Sequence, residues 1–195
     1  MANVAHATMT GANLHEPKGC AAAAAGKAYI SDGAGSGSWQ PVQISEYACL
    51  RATGTTATTG ITASYQVVNS GTLGSNMAWA QNVAYGITTD TTNGYMTVPS
   101  TAAYQIIISV VYTPSTTSSV WSFTIGVDSG SGVVSKEASI LAKAKTTSIA
   151  DTTQTTLVCI PSLLANDKVY LMVKEDGGKE LIFDHINYTL TRVGV

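Results

Sequence analysis

Histidines, cysteines and carboxylates are the side chains here that could do chemistry. His6 and His15 lie near the N-terminus and His185 precedes the last strand. Copies of one His around a three-fold axis could bind a metal. A single His in a packed segment more commonly just hydrogen-bonds, so no metal is assigned. His15-Glu16 does not continue to a second His at metalloprotease spacing, and no Gly-x-Ser-x-Gly elbow is present. Asp184-His185 resembles half of a catalytic pair, but adjacent strand residues point to opposite faces. Asp128, Glu137, Asp151, Asp167, Glu175, Asp176, Glu180 and Asp184 are scattered. Nothing in their spacing brings two together as glycoside hydrolysis requires. The Gly-rich run Asp32-Gly33-Ala34-Gly35-Ser36-Gly37 lacks dinucleotide-fingerprint spacing, and Gly26-Lys27 is followed by Ala28 rather than Ser or Thr. It reads as a turn. No cofactor is assigned, and the expectation is a protein that is not an enzyme.

Cys20, Cys49 and Cys159 are odd in number and widely spaced. That fits reduced thiols rather than a disulfide framework or a zinc site. Glu175, Asp176, Lys179 and Glu180 flank Gly177-Gly178 and read as a solvated hairpin tip. A calcium or receptor contact is the sharper alternative there. Trp121 is expected in the core, with sugar stacking as its alternative role. Asn187-Tyr188-Thr189 matches a glycosylation sequon inside an expected strand, and no such role is assigned to it.

The elements that would position these groups are strands. Residues 120–127 place Trp121, Phe123, Ile125 and Val127 on one face and Ser122, Thr124 and Gly126 on the other. Residues 104–112 are rich in Ile and Val. Further strands are expected at 47–51, 61–68, 95–98, 155–160, 168–174 and 186–191, with Thr-rich residues 55–59 as a turn or edge. Asn93-Gly94 signals a hairpin. Residues 77–87 hold Met77, Trp79, Val83, Tyr85 and Ile87 in irregular spacing. About eight to ten short strands separated by turns predict an all-β, antiparallel jelly-roll sandwich.

Residues 1–41 differ in composition. Leu14, Tyr29, Ile30 and Trp39 are their main large side chains, too few for a core. They are expected to form an extended arm ahead of a domain at 42–195. Across the whole chain only 11% of residues are charged, Lys+Arg is 10 against Asp+Glu 12, and 27 residues are Thr. So few cations cannot neutralise many phosphates, which argues against nucleic-acid binding. No run approaches the 18 apolar residues of a membrane helix, and no secretory signal is evident. Neither nucleic acid nor membrane is an expected partner. A charge-poor, hydroxyl-rich chain suits burial against copies of itself.

Two stretches resemble known families. Gly94-Tyr95-Met96-Thr97-Val98-Pro99 with Ala103-Tyr104-Gln105-Ile106, and Leu163-Leu164-Ala165-Asn166-Asp167-Lys168-Val169-Tyr170-Leu171, are similar to segments of the trimeric jelly rolls of tumour necrosis factor and complement globular heads. The likeness covers roughly residues 43–195. Asn166 stands where those proteins usually carry Gly, and Asn tolerates the same left-handed backbone. The arm, with Leu14-His15-Glu16-Pro17-Lys18-Gly19 and Asp32-Gly33-Ala34-Gly35-Ser36-Gly37-Ser38-Trp39, resembles the starts of tailed-phage virion proteins.

The resemblance implies a homotrimeric structural protein on the exterior of a phage particle. Capsid decoration or a head fibre is the first reading. Leu14, His15, Glu16, Pro17, Tyr29, Asp32 and Trp39 would form the docking arm on capsid or tail proteins. The alternative is a tail-attached fibre or receptor-binding module that takes host surface glycan at loops carrying Thr116, Ser131 and Asp176. A glycan-cleaving enzyme is the third reading.

Overall fold

The computed structural model describes residues 27–31, 37–41, 45–54, 57–58, 61–69, 73, 77–115, 119–136, 142–145, 152–175 and 179–194. Its internal contacts divide the chain into two units, Met1–Ile44 and Ser45–Val195.

The described part of the first unit is a hairpin. Strand β1 (Lys27–Ser31) pairs antiparallel with β2 (Gly37–Pro41). Tyr29 lies opposite Trp39, and the two rings meet edge to face at 5.5 Å. The sequence predicts no strand here, because the segments are short and carry little alternation. A cross-strand aromatic pair supplies the cohesion instead.

The second unit holds fourteen strands among its described residues. In chain order they are β3 (Tyr47–Thr53), β4 (Ala57–Thr58), β5 (Gln66–Val67), β6 (Ala78–Tyr85), β7 (Thr88–Asp90), β8 (Tyr95–Thr97) and β9 (Ala102–Pro114), then β10 (Val120–Asp128), β11 (Val133–Ser135), β12 (Ala142–Lys145), β13 (Thr153–Cys159), β14 (Ser162–Leu163), β15 (Lys168–Glu175) and β16 (Leu181–Arg192). They form two sheets. One runs β11-β10-β15-β8-β7, with β12 beside β10 and β5 beside β15. The other runs β13-β9-β16-β3-β6, with β14 beside β9 and β4 beside β16. Every described pairing is antiparallel. This is the expected all-β jelly-roll sandwich.

The core lies between the sheets. Along β9, Tyr104, Ile106, Ile108, Val110 and Tyr112 point inward and are buried, while their neighbours are not. From the other sheet come Trp121, Phe123, Ile125, Leu171 and Val173. The Tyr112 ring lies 5.4 Å from Phe123 and 6.4 Å from Trp121, which ties the two layers together. Each such burial contributes about 1.5–3 kcal/mol. Trp121 is core, as expected.

Several expectations change. On β10, Ser122 and Thr124 are buried along with the apolar face, and Val133 and Met172 close over Gly126 on the same side. A strand expected over 61–68 shrinks to Gln66–Val67. The Gln66 side chain accepts the Thr62 N–H at 2.8 Å and closes a local turn where a ladder was expected. The irregularly spaced residues 77–87 contain a strand, β6, and Trp79 on it is buried. Its strand skips a residue at Asn82, where Cys49 pairs with Val83 and Leu50 with Gln81. That bulge breaks the period of two. A register shift likewise makes Asp184 an extra residue between Phe183 and His185, and Asp184 accepts the Thr113 hydroxyl at 2.8 Å. Glu175 is 3% exposed rather than solvated, and its carboxylate accepts the Lys179 N–H at 3.1 Å.

The Asn93-Gly94 signal lies in a four-residue hairpin loop. Asp90 caps it by accepting the N–H groups of Thr92 and Asn93, both at 2.8 Å. Gly94 has φ +68°, and a Cβ there would fall 2.4 Å from the Trp79 ring. Two costs therefore combine at one position, left-handed strain and overpacking. Gly94→Ala is expected to lower stability by about 2–4 kcal/mol in a chemical denaturation series. An unchanged midpoint would contradict this packing.

Candidate functional site: an apolar sheet face

Strand pairing writes out the outer face of the β13-β9-β16-β3-β6 sheet row by row. One row is Val158, Ile107, Thr189, Cys49, Val83. The next, toward the strand ends at Arg192, is Gln105, Thr191, Tyr47, Tyr85. On the other side lie Thr156, Ser109, Asn187, Arg51, Ala80, and then Gln154, Val111, His185, Thr53, Ala78. Among these four rows Arg51 is the only Lys, Arg, Asp or Glu.

Exposed large apolar side chains concentrate here. Ile107, Val83, Tyr47, Tyr85 and Val158 are all exposed, and Ile160 follows Val158 at 60% exposure. Tyr47 and Tyr85 stack on each other with ring centroids 6.2 Å apart. Three hydroxyls at the centre of the face are already engaged. Ser109 bonds Thr156 at 3.1 Å, and Thr189 donates to the Ile107 carbonyl at 3.2 Å, both within the chain. What remains to be satisfied is apolar area, and contiguous patches of that kind mark interaction surfaces.

A polar latch secures one end of this sheet. The Glu46 carboxylate, just ahead of β3, accepts the Tyr104 hydroxyl at 2.6 Å and the Ser100 hydroxyl at 3.0 Å. It pairs with the Arg192 guanidinium at 3.1 Å. The Arg192 N–H also reaches the Glu46 carbonyl at 2.8 Å. Burial, and then the bond to Glu46, push the Tyr104 hydroxyl above the usual phenol range. The latch joins the start of β3 to the ends of β9 and β16.

The expected site residues divide. Tyr29 and Trp39 come together across the hairpin. Ser131 is exposed in the turn between β10 and β11. Leu14, His15, Glu16, Pro17, Asp32, Thr116 and Asp176 lie outside the described residues, as do His6 and Cys20. Cys49 and Cys159 are free thiols, and burial pushes the Cys159 thiol up to about 11. Among the described residues no group of three or more His, Cys, Asp or Glu could hold a metal.

The sequence reading missed the apolar face. Its signal is the run Ile106-Ile107-Ile108, since three consecutive apolar residues load both faces of a strand.

The two stretches behind the jelly-roll resemblance meet in space. Val98 donates its N–H to the Asp167 carbonyl at 3.1 Å and accepts the Asn166 N–H at 2.8 Å. Asn166 has φ +71°, the left-handed backbone expected of a residue in the family's Gly position.

No protein-family model and no curated protein sequence matches the chain. Solved structures do match. The chain is similar to the Eiger TNF of S. frugiperda at 13% identity, over 76% of this chain and 94% of that one, with a TM-score of 0.53. It is also similar to murine APRIL at pH 5.0, at 8% identity over 75% and 99%, with a TM-score of 0.50. At such identities the likeness speaks for the fold, a jelly roll of the tumour necrosis factor type.

The latch generates a test. Tyr104→Phe removes the hydrogen bond to the Glu46 carboxylate together with the hydroxyl's contacts to Ser100, and leaves the ring's packing in place. It is expected to lower stability by about 1.5–3 kcal/mol, read from the shift of a urea unfolding midpoint. An unshifted midpoint would mean that the Tyr104 hydroxyl contributes nothing to the latch.

Proposed function

We propose that the chain is a structural, non-enzymatic protein of a tailed-phage virion, a homotrimer displayed on the outside of the particle. In this reading the jelly roll self-associates through the outer face of the β13-β9-β16-β3-β6 sheet. The arm of residues 1–41 threads between shell subunits and holds them, as a capsid decoration or head-fibre protein.

The observation that carries self-association is the concentration of exposed apolar side chains on one nearly charge-free face. Covering that face with a second copy removes its apolar area from water, and the charges it carries are Arg51 and, beside Thr113, Asp184. Successive head-to-face contacts close into a ring when the rotation permits, and three copies make the smallest such ring. The jelly-roll fold supports that number through the resemblance to trimeric relatives. The virion assignment is supported by the arm residues Leu14-His15-Glu16-Pro17-Lys18-Gly19 and the Gly-rich run ending at Trp39.

The test is where the protein sits and what holds it there. Antibody label on purified particles is expected over the shell. A chain lacking residues 1–41 is expected to stay soluble and oligomeric yet leave particles undecorated. Label confined to the tail would replace decoration with adhesion. Label nowhere on the particle, or full decoration without the arm, would overturn the assignment.

A further inference from the structure

At one end of the sandwich two turns face each other across a pocket of about 220 Å³. One turn joins β10 to β11 and holds Ser129 and Gly130. The other precedes β15 and runs from Leu164 to Asp167. A single buried carboxylate fastens them together. Asp167 is 4% exposed; its Oδ1 accepts the Ser129 hydroxyl at 2.6 Å and its Oδ2 accepts the Leu164 N–H at 2.9 Å. Asp128 stiffens the first turn, with Oδ1 accepting the N–H groups of Gly130 at 2.8 Å and Gly132 at 3.0 Å. The walls are therefore built before any ligand arrives, which lowers the entropic cost of binding.

The lining is mixed in a specific way. Leu164, 59% exposed, and Ala165 make a small apolar wall. Asn166 presents an amide at the rim, exposed and held on a left-handed backbone. Lys168 borders the pocket, with its ammonium held 5.2 Å from the centre of the Tyr95 ring, and that ring packs on Tyr170 at 5.0 Å. Asp128 supplies an acceptor. A ligand that satisfies a carboxylate and an amide while laying C–H groups on Leu164 must itself carry both donors and acceptors around a compact apolar body. Sugar rings with vicinal hydroxyls have that character. The volume lies below the roughly 300 Å³ at which pockets for drug-sized ligands begin, which limits occupancy to a single ring. Two carboxylates against one ammonium disfavour an anionic sugar.

We propose that this pocket binds one uncharged sugar residue of a larger glycan. The site lies within one jelly roll and does not depend on the assembly or the virion role proposed above. It shares its first turn with Ser131, one of the residues the sequence assigned to a ligand loop.

The test uses the full-length chain on an array of neutral and acidic glycans that includes bacterial surface polysaccharides. It is run with calcium chloride and again with EDTA, with the oligomeric mass measured on the same sample. Binding to neutral glycans is expected, unchanged by EDTA. Asn166→Gly keeps the left-handed turn and removes the amide, and is expected to weaken binding about tenfold. Ala165→Trp fills the pocket and is expected to abolish binding with the melting temperature preserved; if that variant misfolds, Asn166→Gly and Leu164→Ala decide. A blank array, binding lost in EDTA, a preference for sialylated or uronic glycans, or binding unaffected by these substitutions would overturn the proposal. A blank array from a sample of intact oligomeric mass would sink the pocket and leave self-association standing.

Discussion

A strand that carries apolar side chains on both faces has to be covered on both. Strand β9 is the case on which this molecule turns. Ile106 and Ile108 point into the sandwich and are fully buried, whereas Ile107 between them points out, opposite Val158. The inner face is satisfied by the facing sheet through Tyr112, Phe123 and Trp121. The outer face has no such layer among the described residues of its own unit. The Ser109, Thr156 and Thr189 hydroxyls are occupied within the chain, and much of the demand that remains is for apolar cover. The low charge of the chain follows the same logic, because a surface destined for burial gains nothing from ions that would have to be desolvated.

Much of the inner architecture was legible in the sequence. The alternation of Trp121, Phe123, Ile125 and Val127 is what a half-buried strand writes, and the turn at Asn166 could be anticipated from the backbone freedom of Asn. What could not be read has identifiable causes. The bulge at Asn82 displaces Trp79 and Val83 from a common period and disguises a strand that buries its tryptophan. Gln66 diverts a backbone N–H to its own side chain and shortens a strand that its Val and Tyr content favours. The β1–β2 hairpin carries a turn signal in Asp32-Gly33, but its strands are short and have few large side chains to mark them.

The candidate sites were less legible than the fold because they are non-local. Glu46 meets Arg192 from the far end of the domain, and Asp167 meets Ser129 across two separate turns. No spacing rule links such residues; only the strand order brings them together. The outer face is the exception. Its marker, Ile106-Ile107-Ile108, stands in plain view and can be understood once the neighbouring strands are aligned beside it. Rigid ends and an apolar flank have different uses. The flank suits association between large flat surfaces, and the pinned turns suit a small ligand held from several sides.

The central claim is that the outer face of the β13-β9-β16-β3-β6 sheet is an interface between copies. The most direct measurement is the native mass of the full chain beside that of Ile107→Asp. The account predicts an oligomer of three times 20.1 kDa for the natural chain. It predicts a shift toward single chains for the variant, with the β-sheet circular dichroism retained. A natural chain that stays monomeric at micromolar concentration, or a variant that assembles just as well, would contradict it.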